Sequence, residues 1–188
     1  MSKTTAVWRL RAGADRRFRS GHPWVYSNEL NESPKGIEPG APIELQDPAG
    51  KFLARGFGNP SSLIAFRTVS RDESEIEPLS NEGVLKRLDS ARRLRDSEGL
   101  ADVSYRLCFG EADGLPGLVI DRFVLGKGPE GQIFVVQAHA AGVNRLVPRL
   151  GEILEAHVKA AGGKWERTAI VLRNDIGVRK LEGLLEEE

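Results

Sequence analysis

PIELQDPAGKFLARGF, residues 42–57, consists of two short apolar-rich runs separated by the tetrapeptide DPAG. Proline at the second position of DPAG and glycine at the fourth are residues that a type I turn favours. The two runs are therefore predicted to pair as a β-hairpin. AVWRL and LIAFRTV, on either side, are further short runs of the same kind, and turn residues separate them from the hairpin. This spacing predicts a small antiparallel barrel or sandwich over residues 6–70.

The rest of the chain predicts helices as well as strands. An acidic stretch, RDESEIEPLSNE, suits a linker, and a helix follows from about Glu82 with Ser80 or Asn81 as its N-cap. SYRLCF, LPGLVIDRFVL and QIFVVQA are predicted strands. A second helix is predicted over about 144–161, with Pro148 near its first turn, before a last strand, TAIVLR. The predicted fold class is α+β: an N-terminal β-barrel, then a small unit in the order helix, strands, helix, strand.

Composition and charge are those of a soluble globular protein. Of the 188 residues, 40% are hydrophobic and 29% are charged. No segment is long and apolar enough to span a bilayer, and the start lacks the apolar region of a secretory signal, so we expect a cytoplasmic chain without a membrane partner. Residues 1–71 hold 11 Lys plus Arg against 6 Asp plus Glu, whereas residues 72–188 hold 16 against 21. The two halves are therefore expected to face different partners.

The sequence offers little for a metal or a nucleotide cofactor. Cys108 is the single cysteine, which excludes a disulfide within the chain and a C-x-x-C zinc site, and its apolar surroundings predict a buried structural thiol. The histidines, His22, His139 and His157, are far apart and predict no metal site. GKGPEG, residues 126–131, matches G-x-G-x-x-G, but it leads into a strand rather than a helix. We therefore interpret it as a hairpin turn and expect no cofactor-binding residues in this chain.

RLCFGEADGLPGLVIDRF, residues 106–123, presents two carboxylates, Glu111 and Asp113. In extended backbone this spacing puts both on one side, where they could act as general acid and base. The glycines and the proline of the stretch are equally what a tight connection between strands requires. Spacing alone leaves both interpretations open. Asp121 is expected to form a structural ion pair, either with Arg122 or with an arginine of a neighbouring strand.

RRFRSGHPWVYSNEL, residues 16–30, interleaves cations with aromatic rings. Its cations are Arg16, Arg17 and Arg19, and its rings are Phe18, His22, Trp24 and Tyr26. Such a pattern is typical of binding to RNA phosphates and unpaired bases. The alternative is that Trp24 and Tyr26 fill the barrel core while the arginines are solvated. We favour mixed roles, with the arginines and His22 outward and with Trp24 and Val25 inward.

Two further basic features add to this interpretation. Arg55, in the run KFLARGF, is another candidate RNA-binding residue. The first predicted helix carries a basic face that is either solvated or directed at RNA. The residues of this face are Lys86, Arg87, Arg92, Arg93 and Arg95.

Four segments together resemble a known family. RRFRSGHPWVYSNEL, KFLARGFGNPSSLIAFRTVSRDE, YRLCFGEADGLPGLVIDRF and RNDIGVRKLEGL are similar, in order and spacing, to the N-terminal portion of bacterial class I S-adenosylmethionine (SAM)-dependent methyltransferases of the ribosomal RNA large-subunit methyltransferase I type. The resemblance implies a PUA RNA-binding domain over residues 1–73 and a central α+β domain over residues 80–188. In that family a Rossmann-like domain follows, which holds SAM and the catalytic cysteines and methylates carbon 5 of a cytosine. It would begin where this chain ends, so we expect the chain to lack it.

The resemblance implies a role in binding and positioning ribosomal RNA, without catalytic residues or methyl transfer in this chain alone. SAM is the cofactor of the full-length family, and a missing or separate methyltransferase domain is the expected protein partner. The residues of the glycine-rich connection become a family-signature turn: Glu111, Asp113, Gly114, Pro116, Gly117 and Asp121. Two alternatives stay open. One is a freestanding hydrolytic enzyme that uses Glu111 and Asp113, and the other is an RNA-binding scaffold that docks a separate catalytic chain.

Overall fold

The computed structural model describes residues 5–126 and 131–185. The first part of the chain forms a five-stranded sheet in the order β1-β3-β4-β5-β2, in which β1 and β3 are parallel and the other neighbours antiparallel. Its strands and its one α-helix are β1 (Ala6–Arg9), α1 (Asp15–Arg19), β2 (Trp24–Tyr26), β3 (Ala41–Gln46), β4 (Phe52–Gly58) and β5 (Ile64–Ser70). A short 3-10 helix, Ser27–Glu29, follows β2.

The two edges of this sheet come together, so the sheet curls into a barrel-like shape. Leu10, just after β1, forms an isolated antiparallel bridge with Leu30, which follows β2. Arg11 N donates to Glu29 O at 2.8 Å and Asn31 N donates to Arg9 O at 2.8 Å on either side of the bridge. The interior is filled by Trp8, Leu10, Phe18, Val25, Leu30, Ile43, Leu45, Ala54, Ala65 and Phe66.

The predicted hairpin is confirmed. β3 and β4 pair antiparallel, and Gly50 N donates to Asp47 O at 3.0 Å across the turn. The Asp47 side chain also accepts hydrogen bonds from Ala49 N and Lys51 N, each at 2.9 Å. The carboxylate therefore fixes the turn that its position in the sequence predicts.

The second part of the chain is a four-stranded sheet with helices on one face. The sheet has the order β6-β7-β8-β9, and only β8 and β9 are parallel among its described neighbours. Its elements are α2 (Asn81–Ser97), β6 (Tyr105–Phe109), β7 (Leu118–Leu125), β8 (Gly131–Ala138), α3 (Ala141–Asn144), α4 (Leu150–Ala160), β9 (Thr168–Leu172) and α5 (Val178–Leu181). Three 3-10 helices lie between them: Gly110–Asp113, Val147–Arg149 and Trp165–Arg167. The predicted mixed α+β fold class is confirmed.

The two parts share packing. Phe57 of β4 and Val69 of β5 belong to the second core, where they join buried residues of α2, α4 and the four-stranded sheet. A Cβ atom built on Gly142 would lie 2.1 Å from the Phe57 ring, so only glycine allows this close approach. The two predicted units, 1–73 and 80–188, therefore meet through a packed contact. Their boundaries stay a prediction.

The single helix predicted over about 144–161 is wrong. The chain forms α3, then the 3-10 helix Val147–Arg149, then α4 from Leu150. Proline has no amide hydrogen, so Pro148 could not donate to the carbonyl of residue 144 inside one continuous helix. The regular helix therefore begins after it. The first helix agrees with the sequence: Ser80 Oγ accepts a hydrogen bond from Gly83 N at 3.1 Å as its N-cap.

The acidic stretch before α2 is held against that helix rather than behaving as a free linker. Arg87 donates to both carboxylate oxygens of Glu75 at 2.8 Å and to Val69 O and Pro78 O at 3.1 Å. The hydrogen bonds that Arg87 donates to the Glu75 carboxylate lower the pKa of Glu75 to about 2. The acidic composition of this stretch predicted a flexible linker. Arg87 of α2 instead binds Glu75 and Pro78 of the stretch and holds it against the helix.

The GKGPEG segment falls mostly outside the described residues, which omit 127–130. On either side of it, β7 and β8 pair antiparallel, with Leu125 opposite Gly131. Within the described ranges, no helix is long and apolar enough to cross a membrane.

Candidate nucleic-acid interface

Helix α1 and the loop after it carry most of the predicted RNA-binding residues. Phe18 points into the barrel core, where it is 2% exposed and its ring centroid lies 6.5 Å from that of Phe66. A base therefore has no access to Phe18, and the expectation that this ring stacks on RNA is wrong. The neighbouring Arg16 and Arg19 are exposed.

Arg17 and His22 form an ordered pair beside α1. Arg17 donates to both carboxylate oxygens of Glu29, at 3.2 and 2.6 Å, and to Trp24 O at 3.1 Å. It also lies 3.1 Å from the His22 ring nitrogens, while His22 Nδ1 accepts a hydrogen bond from Trp24 N at 3.2 Å. Both side chains are half-buried. Their orientation is thus fixed by the protein.

Arg71 joins this cluster, and sequence reasoning missed it. It donates to His22 O at 3.0 Å, and its guanidinium carbon lies 4.1 Å from the Phe18 ring centroid. Burial lowers the pKa of Arg71. No carboxylate pairs with Arg71 or with Arg16 among the residues that the structure describes. The pairing of β2 with β5, which brings Arg71 to His22, is a long-range feature that the local pattern does not reveal.

We call Arg16, Arg17, His22 and Arg71 the α1 surface. Arg19 borders it but is ion-paired to Asp15 at 2.8 Å and to Asp47 at 2.7 Å.

Arg55 has a different environment from the α1 surface. Its side chain is 11% exposed, it pairs with Glu44 at 3.0 Å, and it donates to Glu73 O at 2.5 Å. Within residues 5–126 and 131–185, no hydrogen bond links it to the α1 surface. The structure therefore does not gather all five predicted RNA-binding residues at one place.

Glu111 and Asp113 do not form a catalytic pair. They lie in the 3-10 helix Gly110–Asp113 rather than in extended backbone, so the expectation that both project to one side is wrong. Asp113 accepts from two nitrogens of Arg95, at 2.6 and 2.7 Å, and from Phe109 N at 2.7 Å. Its side chain is 6% exposed. It is therefore committed to holding the connection against α2.

The rest of the glycine-rich connection is structural as well. Gly114 ends the 3-10 helix with φ +72°. Gly117 has φ +77°, and a Cβ atom there would lie 2.5 Å from Ala140 Cβ. Buried Pro116 lies between them. Asp121 pairs with Arg106 of the neighbouring strand at 2.8 Å, which confirms the predicted structural ion pair.

Glu111 reaches across to the barrel. It accepts hydrogen bonds from Trp24 Nε1 at 2.7 Å and from Arg67 at 3.2 Å. Trp24 is only half-buried, so its predicted place in the barrel core is wrong, whereas Val25 is buried as predicted. Consecutive residues of a strand point to opposite faces, which prevents Trp24 and Val25 from both facing inward.

Arg67 of β5 also pairs with Glu182, at 2.9 Å. The Glu182 side chain is 4% exposed and accepts further hydrogen bonds from Asn59 at 2.9 Å and from Ser62 at 2.8 Å. We call Arg67, Glu111 and Glu182 the junction. It fixes the barrel against the second sheet. The local sequence pattern does not reveal it, because Glu111 and Glu182 lie 44 and 115 positions from Arg67 along the chain.

Cys108 is a buried thiol, as predicted. Its Sγ donates to Leu118 O at 3.3 Å, and burial raises its pKa to about 12. Among the described residues, no three His, Cys, Asp or Glu side chains are grouped to hold a metal ion.

Residues 9–71, which include the α1 surface, match the family model of a PUA-like domain. The barrel is therefore a PUA-like domain. The α1 surface and Arg67 both belong to this domain.

Curated relatives extend the similarity to nearly the whole chain. It is 36% identical over 177 residues to ribosomal RNA large subunit methyltransferase I of Erwinia tasmaniensis, covering 93% of the chain and 41% of that protein. Its identity to the protein of the same name from Photobacterium profundum is 33% over 185 residues, covering 96% and 42%. The chain is thus homologous to these proteins and spans about two fifths of their length.

Solved structures show the same fold. A candidate SAM-dependent methyltransferase from Streptococcus mutans matches 92% of the chain and 42% of its own length, with a TM-score of 0.65 and 14% identity. A second candidate methyltransferase, solved as a complex with SAH, matches 89% and 40%, with a TM-score of 0.64 and 13% identity. At these identities the likeness concerns the fold alone. The resemblance to the methyltransferase family is confirmed by the curated relatives.

Proposed function

We propose that this chain binds ribosomal RNA and positions it for a SAM-dependent cytosine-C5 methyltransferase, without transferring the methyl group by itself. The observation that carries the proposal is the α1 surface on a PUA-like domain, where Arg16 and Arg71 have no carboxylate partner among the described residues. Unpaired arginines attract phosphates, and phosphate contacts supply most of the affinity for nucleic acid. The substrate named for the relatives supports ribosomal RNA as the ligand. With this role we also propose a cytoplasmic location.

The members of the α1 surface have distinct roles in this proposal. Arg16 and Arg71 contact RNA phosphates, while Arg17 and His22 present a preordered edge of donors and acceptors to sugar or base. Arg17 keeps its charge partner Glu29, so it contributes orientation more than net charge. We expect less from Arg19 and Arg55, because each already faces a carboxylate.

The junction holds the PUA-like domain, and with it any bound RNA, in a fixed orientation to the second unit. Arg67 bridges two carboxylates of the second sheet unit, and Trp24 adds a third contact to the same side. RNA held on the PUA-like domain is therefore held at a fixed position relative to the second unit. Fixing a substrate beside a reactive centre removes part of the entropic cost of the reaction.

Residues 5–126 and 131–185 do not fit the cofactor of the family. SAM in a Rossmann-like domain needs a strand, a glycine loop and the N-terminus of a helix in succession. The segment that matches the glycine pattern instead joins the antiparallel strands β7 and β8. We assign no SAM-binding residue here and derive no chemical step through SAM.

A fluorescence titration of a structured ribosomal RNA fragment, at low and at moderate salt, tests the proposal. We expect binding that weakens steeply with salt, as counterion release requires. Incubation with RNA and labelled SAM should give no methyl transfer. Absence of binding at low salt would overturn the proposal, and methyl transfer by the chain alone would contradict its second part.

A second candidate function is a scaffold that docks a separate methyltransferase chain. It is favoured by an exposed apolar surface on the sheet face opposite the helices, where Phe109 is 57%, Phe123 46% and Val171 47% exposed. Such faces on soluble proteins mark interaction sites. Co-purification of a separately produced methyltransferase domain, lost on Phe123→Lys but kept on Arg93→Gln, would support it. Failure of the wild-type chain to retain that domain would argue against it.

The hydrolytic alternative has no comparable support. It requires Glu111 and Asp113 to face one substrate, yet Glu111 contacts Trp24 and Arg67 while Asp113 contacts Arg95.

A further inference from the structure

An open depression of about 390 Å³ lies on the outer face of the four-stranded sheet, which is the face opposite the helices. The strand register places Phe109 of β6, Val119 of β7 and Gln137 of β8 side by side across this face. His139 follows β8, and Glu111 lines the depression on the side of the barrel. The α1 surface contains none of these residues. The volume lies within the range of small-ligand sites, about 300–1,000 Å³.

Phe109 is a large aromatic side chain that stays 57% exposed on this face. The guanidinium carbon of Arg106 lies 5.2 Å from the centre of the Phe109 ring. Asp121 holds Arg106 in place through two hydrogen bonds of 2.8 and 3.1 Å. Aromatic rings and guanidinium planes are the protein groups on which unpaired RNA bases stack. Phe109 and Arg106 therefore provide an ordered stacking surface at the depression.

Gln137 and His139 add hydrogen-bonding groups beside that stacking surface. His139 Nε2 lies 2.9 Å from Gln137 Oε1, and an amide oxygen only accepts, so the imidazole donates through Nε2. Burial lowers the pKa of His139, which keeps the ring neutral near pH 7. The Gln137 amide nitrogen makes no hydrogen bond within residues 5–126 and 131–185, so both of its hydrogens are available to an acceptor on a ligand.

Charge at the depression is balanced, which suits a base better than a phosphate. Arg106 pairs with Asp121 at 2.8 Å, and Glu111 pairs with Arg67 at 3.2 Å. With His139 neutral, no excess of positive charge remains among these side chains. A neutral heterocycle with a hydrogen-bonding edge therefore matches the depression.

Trp24 connects the depression to the α1 surface. The Trp24 and His22 rings meet edge to face, with 5.7 Å between their centres. The Trp24 indole nitrogen donates at 2.7 Å to Glu111, which lines the depression. Arg67 fixes this arrangement, because it pairs with Glu111 and its guanidinium carbon lies 5.4 Å from the Trp24 ring centre. The α1 surface and the depression are therefore neighbours that one RNA strand can contact.

Phe123, a second exposed aromatic residue on the same face, has apolar neighbours instead. Its cross-strand partner is Ile133 of β8, which in turn lies opposite Ala169 of β9. Leu125, two residues further along β7, is 47% exposed. The side chains of this row carry no hydrogen-bonding group. Polar groups therefore distinguish the Phe109 end of the face, which suits a base, from the Phe123 end, which suits a protein partner.

We propose that this depression binds an unpaired base of the RNA whose phosphates the α1 surface holds. The base stacks against Phe109 and the Arg106 guanidinium, and an acceptor atom on its edge receives a hydrogen bond from the Gln137 amide. The inference rests on the proposed function, because the α1 surface supplies the phosphate contacts, and it adds a base-binding site on the second unit. RNA then contacts both units across the junction, which fixes its position at two points.

Binding of a fluorescently labelled, single-stranded oligouridine to the full chain, measured by anisotropy at several salt concentrations, tests this site. Phe109→Ala should weaken binding by about 5- to 150-fold, the effect of losing one stacked base. The slope of log affinity against log salt should stay that of the wild type, because no phosphate contact is removed. Phe123→Ala, at an exposed phenylalanine on the same face, is the matched control and should change neither quantity. Gln137→Ala should weaken binding roughly fivefold, the effect of losing one hydrogen bond.

The variants separate this site from the α1 surface and from a protein-docking role. Equal affinities of the wild type and Phe109→Ala would overturn the inference, and weaker binding by Arg16→Gln/Arg71→Gln in the same experiment would leave the proposed function standing. Weaker binding by Phe109→Ala, with no effect of the double variant, would support the base-binding site and contradict phosphate binding by the α1 surface. No binding of oligouridine by the wild type at low salt would overturn the inference, whereas binding of the structured fragment would still support the proposed function. If Phe109→Ala keeps its RNA affinity but no longer retains a separately produced methyltransferase domain, the depression belongs to a protein partner and the inference is wrong.

Discussion

Replacing Arg67 by methionine tests the junction that fixes the PUA-like domain against the second unit. The Arg67 side chain is 12% exposed and its partner Glu182 is 4% exposed, so the substitution leaves a carboxylate buried without its cation. Removing one partner of a buried pair costs about 3–5 kcal/mol. Asn59 and Ser62 still donate to Glu182, so we expect a loss of unfolding free energy near the lower bound, about 3 kcal/mol.

Urea unfolding followed by tryptophan fluorescence measures this loss, and Trp24, which donates a hydrogen bond to Glu111 of the junction, is placed to report it. Arg93→Met, an exposed arginine on α2, is the matched control and should change stability by less than about 0.5 kcal/mol. In a double-mutant cycle with Glu182→Gln, the two losses should be coupled by about 1–3 kcal/mol. Additive losses, or an Arg67→Met loss equal to that of the control, would refute the junction as an energetic link.

Three other predictions concern stability and reactivity. The lowered pKa of Glu75, about 2, means that its pairing with Arg87 stabilises the fold above the ordinary carboxyl pKa, and that this contribution is lost as pH falls toward 2. Glu75→Gln should cost about 1–2 kcal/mol at pH 7, allowing for solvent screening, and should flatten the acid side of the stability profile; an unchanged profile would contradict the pairing. Gly117→Ala should cost roughly 1–3 kcal/mol through its positive φ and the contact with Ala140, and a thermal melt that matches the wild type would disprove that strain. Cys108, with a thiol pKa of about 12, should react with a disulfide reagent only on unfolding, whereas rapid labelling of the folded chain would show the thiol to be accessible.

Local chemistry in the sequence predicted the elements of the fold well. The DPAG turn and the N-cap Ser80 each act within a few residues, so their effects appear in the printed sequence. The prediction of one continuous second helix was wrong at Pro148. The apolar periodicity continues through this residue, but proline has no amide hydrogen to donate to the helix backbone. Periodicity describes which face is apolar, and it does not show where the backbone ladder is interrupted.

The candidate site was predicted only in part, because long-range contacts decide it. Arg16, Arg17 and His22 lie within one short stretch and could be proposed together. Arg71 lies next to His22 only because β2 pairs with β5. Glu111 contacts the barrel only because the Trp24 side chain of β2 donates a hydrogen bond to it. The sequence alone does not show which charged residues are paired by long-range contacts and which are available to bind RNA.

The salt dependence of RNA affinity in the double variant Arg16→Gln/Arg71→Gln tests the central claim most directly. Affinity falls with salt, and each phosphate contact removed should make the slope of log affinity against log salt shallower by about 0.7–0.9. The slope of the double variant should therefore be shallower than that of the wild type by about 1.4–1.8. Arg93→Gln should keep the wild-type slope. A double variant with the same slope and affinity as the wild type would contradict RNA binding through the α1 surface.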